Sequence, residues 1–396
     1  MITKRQRWTT VFAVVLCCFA AQSFARFSFG LLLPAMKADL NISYGLAGWL
    51  GTINLAGYLV GTITTSVVSM RLPAHRLVQL GAIGSAAGIL VLASTRSTPL
   101  LLIGMTLSGL GGAFVWVPAP SITASVFPPE KRGFAMGLTS GGIGTGIVLA
   151  VGITNLTRRL GSDAGLWRQI WLVEGAISAL AVVAAFAFLR PIALQPGSPP
   201  RLAVLRQVSR WWAPTFAYGC FGLGYVLFAT FVVAALQQDA GFPPGHATRV
   251  FALMGAGNAI GAVTVGRLSD TVGRRTTMVA AFAAASFASL LATSTSEPFV
   301  SLLTFVFGTA MAGAVVSIAA YIGDNVRPQE FSAAFGAVTA VFGVVQTIGP
   351  RLGGRLADSA GNFRSVFILA AAAWALGAVL SLGLKREQVS LTTLNQ

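Results

Sequence analysis

A lone guanidinium in an apolar run from Val11 to Met36 is the most chemically loaded feature of this chain. Arg26 presents five donors in a planar fork that matches the oxygens of a carboxylate or phosphate, and a low-dielectric setting strengthens that grip. Gln22, four residues earlier, falls on the same helical face and could share a ligand or the arginine. Other polar and aromatic side chains sit at similar depth in later apolar runs: Asn54 and Tyr58 as an i, i+4 pair, Trp116, Tyr218 and Tyr225 seven apart on one face, Asn258 and Gln346. Such a set could line a pocket around an anion. The plainer alternative ties Arg26 to backbone carbonyls or a helix partner, and makes each Asn and Gln an interhelical bond worth under about 1 kcal/mol.

The elements that must position these groups are membrane spans. Of 396 residues 55% are hydrophobic and only 10% are charged, against about 25% charged in a soluble domain. Apolar runs long enough to cross a bilayer cover 10–34, 44–68, 77–95, 99–123, 133–156, 167–190, 212–236, 247–269, 275–294, 298–322, 332–356 and 363–384. An all-α integral membrane bundle of twelve helices is therefore expected, with the lipid bilayer as its solvent. Inside it, a charge such as Arg26 costs on the order of 2.5 to 3.5 kcal/mol.

The net charge of +16 has a topological origin. With the N-terminus inside, the inner segments hold seventeen Lys and Arg and the outer ones eight, which puts both termini in the cytoplasm. Six of the eight tryptophans (Trp8, Trp49, Trp167, Trp171, Trp211 and Trp212) fall near span ends, as interfacial belts require. A nucleic-acid role is excluded on this distribution. Lys4, Arg5 and Arg7 precede an apolar run too long for a cleaved signal, so the run reads as a first span of an inner-membrane protein. Cys17, Cys18 and Cys220 lie within spans, and the two histidines, His75 and His246, in loops. No metal, cofactor or nucleophile-base constellation can be assembled from them, and an enzyme is not expected.

The chain repeats itself at an offset of about 199 residues. Pro129-Glu130-Lys131-Arg132-Gly133-Phe134-Ala135-Met136-Gly137 aligns with Pro328-Gln329-Glu330-Phe331-Ser332-Ala333-Ala334-Phe335-Gly336, and Gly109 with Gly308. The expected organisation is a six-helix half over 1–190, a Pro- and Arg-rich cytoplasmic linker over 191–210, and a second half with a short tail over 211–396. Parallel duplication around a central site is a transporter architecture.

Gly266-Arg267-Leu268-Ser269-Asp270-Thr271-Val272-Gly273-Arg274-Arg275, between spans eight and nine, closely resembles the loop signature of the major facilitator superfamily. Asp270 at a helix end can pair with a basic residue or a helix N-terminus, and Gly266 and Gly273 permit close contact and a tight turn. Gly266, Asp270, Gly273, Arg274 and Arg275 are thus a candidate conformational latch. The first-half counterpart, Ser66 to Arg76, lacks the aspartate and the second glycine. Ala25 to Pro34 and Ala47-Gly48-Trp49-Leu50 are most similar to a bacterial branch labelled YbfB-like.

The resemblance implies that spans one, four, seven and ten line a central cavity, which puts Arg26 on a cavity helix. The superfamily's organophosphate/phosphate exchangers carry a similarly placed arginine that grips the substrate's anionic group. The 199-residue offset maps Arg26 onto Tyr225. Arg351 is a second cation, either an anion contact from the other half or part of a solvated stripe with Arg355 and Asp358 at the outer mouth. No acidic residue sits at the depth of Arg26 in the cavity spans. Glu174 in span six is the one acid plainly within a span, and Asp324, beside Arg327, is expected in a gate ion pair.

The expectation is a monomeric secondary active transporter moving a small organic anion by alternating access; if protons drive it, the substrate carboxyl or Glu174 carries one, and exchange without protonation of the protein stays open. Two alternatives stand: proton-coupled efflux of drugs or metabolites, against which span five lacks the Gly-Pro pair of antiporters, and a non-transporting membrane sensor.

Overall fold

The computed structural model describes residues 3–127, 132–160, 165–191, 205–292, 296–327 and 330–385. Most of the expected linker, the start of the Pro129 motif, Pro328 and Gln329 in its second copy, and the tail from 386 lie outside them. The described residues are helical and contain no strand. Span one joins an α-helix (Lys4–Cys18), a π-helical stretch (Phe19–Phe27) and a second α-helix (Ser28–Leu40). Spans two to six are Tyr44–Val68, Ala74–Ser94, Thr98–Trp116 with a short continuation Ala119–Ser125, Arg132–Leu160 and Leu166–Phe188. Spans seven to twelve are Trp212–Gln238, Pro244–Val272, Arg274–Leu291, Phe299–Asn325, Phe331–Ala360 and Arg364–Leu382. Ten of these stretches are long and apolar enough to cross a membrane.

Local chemistry sets their ends. Thr3 and Gln6 form a reciprocal capping box on span one, and the Ser43 hydroxyl accepts from the Leu46 amide at 3.1 Å to start span two. Pro118 and Pro120 break span four just after Trp116. Gly273, at φ 91°, turns the chain between spans eight and nine, a conformation that side chains rarely tolerate. His75 and His246, expected in loops, are instead among the first residues of spans three and eight, because Pro73 and Pro243 start those helices earlier than hydropathy suggests. Two of the expected interfacial tryptophans are buried: Trp167 and Trp171 pack edge to face at 5.5 Å, and the Trp167 indole donates to Asp39 at 2.9 Å.

Small residues let backbones approach where hydrophobic burial gives no driving force between helices. The two sequence halves repeat this packing. Gly57 rests on the Thr106 carbonyl as Gly257 rests on that of Phe305, and Gly109 rests on Asn54 as Gly308 rests on Met254. A Cβ at any of the four would collide with backbone. Spans two and four thus pair as spans eight and ten do, and spans three and six as nine and twelve do.

Between residues 1–190 and 211–396 the main contacts follow three helix pairs: one with seven, two with eleven, five with eight. Gly30 abuts the Ala229 carbonyl, Gly48 that of Pro350, and Gly144 that of Gly255. These contacts run from the middle of the bundle toward the end away from the termini. At that far end Asp358 of span eleven accepts from the Tyr44 and Gly45 amides at 2.9 and 2.7 Å, capping span two.

Candidate functional site

Arg26 lies near the end of the π-helical stretch, whose i→i+5 bonding shifts side chains off the faces an α-helix would give. Four side-chain bonds hold this stretch and its exit. Gln22 donates to the Gly112 carbonyl at 2.9 Å, Ser23 to that of Ile143 at 2.9 Å, and Ser28 to Glu174 at 2.6 Å. The Asn54 amide reaches the Ala25 carbonyl at 3.4 Å, with Ser108 at 2.9 Å.

Arg26 itself points across to the second half. Its Nη2 donates to the Tyr225 hydroxyl and to Gln346 Oε1, and Tyr225 donates to the same amide oxygen at 2.7 Å. The guanidinium carbon sits 5.1 Å from the Tyr58 ring centre and 5.4 Å from that of Tyr225, within cation-π range of both. All the partners are neutral. Among the described residues no carboxylate pairs with Arg26. Two buried donors in this cluster, Arg26 Nε and Gln346 Nε2, have no acceptor among the described residues, an arrangement that costs free energy until an acceptor arrives.

From Tyr225 an aromatic ladder descends toward the terminal end. Phe221 stacks on Tyr225 at 5.1 Å, Tyr218 on Phe342 at 4.5 Å, and Phe335 on Tyr218 at 6.1 Å. A cation with open donors at the top of an apolar, aromatic wall can accept an anionic head and an apolar body.

Of the residues expected at the site, the structure thus brings together Arg26, Tyr58, Tyr225 and Gln346, with Tyr218 on the adjoining wall. Gln22 spends its amide on the Gly112 carbonyl of span four and makes no hydrogen bond to Arg26. Asn54 ties spans one, two and four, its amide also reaching the Met105 carbonyl at 3.2 Å. Trp116 packs on a different apolar cluster, with Val14, Cys18 and Ala181. Asn258 is buried on span eight and makes no hydrogen bond to Arg26, Tyr225 or Gln346. Phe221 and Phe342 escaped the sequence reading, although Phe221 lies between Tyr218 and Tyr225 at helical spacing.

Arg351 sits five residues beyond Gln346, about 7.5 Å further along the helix. Its Nη1 donates to the Gly45 carbonyl at 2.7 Å and its guanidinium covers Trp49 at 5.0 Å. With Asp358 it clamps span two, so of its two expected places it takes the one at the mouth. In the signature loop, Arg274 pairs with Asp270 and, at 3.1 Å, with Asp324, and it donates to Ser269 at 3.1 Å. These bonds join spans eight, nine and ten within one half. Gly266 passes Val316 of span ten, and Arg275 is half-buried beside Arg274. Asp324 therefore pairs with Arg274, while Arg327 takes Glu330 at 3.5 Å.

Twelve helices in two similarly packed sets, with a polar cluster where they meet, define a transporter of the major facilitator type. The chain belongs to the family described as uncharacterised MFS-type transporter YbfB, whose model matches residues 19–382. It is 28% identical over 365 residues to monocarboxylate transporter 13 of Rattus norvegicus, covering 87% of this chain and 81% of that one. It is 26% identical to a probable 4-methylmuconolactone transporter of Cupriavidus pinatubonensis (strain JMP 134 / LMG 1197), over 66% of this chain and 63% of that one. A bacterial homologue of the human lysosomal transporter Spinster shares its fold, with a TM-score of 0.76 at 16% identity over 98% of this chain and 100% of that chain. The protein is a multi-pass membrane transporter and not an enzyme.

Proposed function

We propose that the protein carries a small organic monocarboxylate across the cytoplasmic (inner) membrane by alternating access, as a monomer with both termini in the cytoplasm. The observation that carries this reading is the Arg26 cluster: a cation held only by neutral groups, beside two buried donors that lack an acceptor. A carboxylate supplies both the missing charge and the missing lone pairs. Tyr218, Phe221 and Phe342 suit the apolar remainder of such a substrate. Relatives named for monocarboxylate and muconolactone transport support the same class.

The bias of basic residues toward the terminal end supports its cytoplasmic placement. On that orientation the contacts from Gly30 to Asp358 lie on the outer side. Arg274, Asp270 and Asp324 form the inner latch, whose release would accompany closure.

Thermal-shift measurements on purified protein with lactate, mandelate, choline and glucose test the reading. Stabilisation by the two carboxylates that disappears in Arg26→Gln is the expected result. Equal stabilisation in the variant sinks Arg26 as anchor, and a response to choline alone favours cation efflux.

A further inference from the structure

Glu174 is fully buried in the middle of span six, outside the Arg26 cluster. Its Oε1 accepts from the Ser28 hydroxyl at 2.6 Å, and its Oε2 is buried with no hydrogen-bond partner among the described residues. Spans one, three and five pack against span six. They carry Cys17, Cys18 and Arg26, His75 and Arg76, Lys37 and Asp39, and Arg132, Arg158 and Arg159, and span six itself carries Arg168. Among the described side chains, which do not include that of Arg132, none is ion-paired with Glu174. Cys17 faces the Ala181 carbonyl at 3.6 Å, Arg168 donates to Ala93 at 3.2 Å, and Asp39 takes Arg96 at 3.0 Å.

A carboxylate presents about four lone-pair sites, and here one hydrogen bond serves them all. Packing alone would be better served by an apolar residue of similar volume. An unpaired acid retained within a membrane span is a functional group by default. Its one partner, Ser28, is the first residue after the π-helical stretch and lies two residues from Arg26. Glu174 is therefore connected to the anion site through the backbone that positions it.

We propose that Glu174 takes up and releases the proton that accompanies a carboxylate through this protein, with Ser28 as its link to Arg26. This rests on the carboxylate reading above. Coupling follows from charge. In the empty protein Arg26 is positive and Glu174 negative, and the pair sums to zero. With substrate on Arg26 and a proton on Glu174, each site is neutral and the sum is again zero. Either ligand alone leaves one uncompensated charge inside the bilayer, which opposes movement of the halves. The fully loaded and fully empty forms are then the mobile ones, and one proton travels with one carboxylate. The proton binds the carboxylate oxygen as O–H and leaves as H⁺ to water, with no other bond changed.

Proteoliposomes loaded with a pH-sensitive dye and given labelled mandelate test this, with protein-free vesicles as baseline for diffusion of the free acid. Wild type should accumulate mandelate down an inward proton gradient and acidify the lumen. In Glu174→Gln, which keeps shape and mimics the protonated form, accumulation and acidification should fall to baseline, while mandelate-dependent thermal stabilisation remains. Wild-type accumulation in the variant overturns the proposal, as does a loss of binding together with transport. Infrared titration of protein in lipid nanodiscs needs no substrate: a carboxylic-acid carbonyl band that disappears in alkaline buffer should be missing from Glu174→Gln. A band unchanged in the variant overturns the proposal. If wild type ignores mandelate and lactate, the carboxylate reading fails, and the infrared titration still decides Glu174.

Discussion

Arg26 donates to the hydroxyl of Tyr225, the residue exactly one repeat away in sequence, 199 positions on. Gly30 and Ala229, also one repeat apart, touch as well. Under a two-fold relation a residue can meet its own counterpart only close to the axis. Spans one and seven therefore meet along the pseudo-symmetry axis, and Arg26 lies beside it. When two halves rock about such a centre, displacements are smallest there, so a ligand held by Arg26 can stay bound while access changes.

Replacing Arg26 by Gln should remove charge-assisted hydrogen bonds worth about 1.5–3 kcal/mol each. Carboxylate affinity should fall by roughly tenfold to more than a hundredfold, read by titration of the thermal shift. Arg26→Lys keeps the charge without the planar fork and should fall between the two.

Tyr225→Phe keeps the ring under the guanidinium and deletes the hydroxyl shared with Gln346. Carboxylate binding should weaken by about fivefold to tenfold, on the order of 1 kcal/mol for a hydrogen bond, with little change in melting temperature. Gln346→Leu should weaken binding more, since it removes both an acceptor for Arg26 and a free donor. A larger loss for Tyr225→Phe than for Gln346→Leu would contradict this ordering.

Gly48 and Gly30 press on backbone carbonyls of the opposite half, so added bulk cannot be accommodated by a side-chain shift. Gly48→Val should prop the far end open while leaving each half folded. A cysteine placed at Thr52 should then react faster with a membrane-impermeant maleimide from that side. An unchanged labelling rate would show that the contact does not gate access.

Arg274→Gln removes the shared partner of Asp270 and Asp324, whose side chains are 63% and 51% exposed. Exposed pairs contribute about 1 kcal/mol or less, so melting should fall by only a few degrees, and less in high salt. The informative readout is transport turnover, which should change while carboxylate affinity does not.

Much of this was legible in the residues. Hydropathy located most of the helices to within a few positions, ten of them long and apolar enough among the described residues to cross a membrane, because bilayer thickness leaves so few lengths open. The repeat offset named Tyr225 as the counterpart of Arg26, and depth brought Gln346 and Tyr58 into consideration. What depth cannot supply is direction around the helix. Gln22 stands four residues from Arg26 but gives its amide to a backbone acceptor, the Gly112 carbonyl of span four. Arg351 was ambiguous for the related reason that its partner is a carbonyl, Gly45, which leaves no trace in side-chain types.

The cap that Asp358 places on span two crosses from one half to the other. The Tyr44 and Gly45 amides thus have their side-chain acceptor only while the two halves are joined there, whereas the Leu46 amide keeps Ser43. Separation exposes them to water, which satisfies them almost as well. The far end is sealed with bonds that solvent can replace, so it resembles a zip fastener more than a weld. On the carrier reading proposed above, opening there would trade these bonds for bonds to water, and a carboxylate on Arg26, a few turns away, would bias the trade.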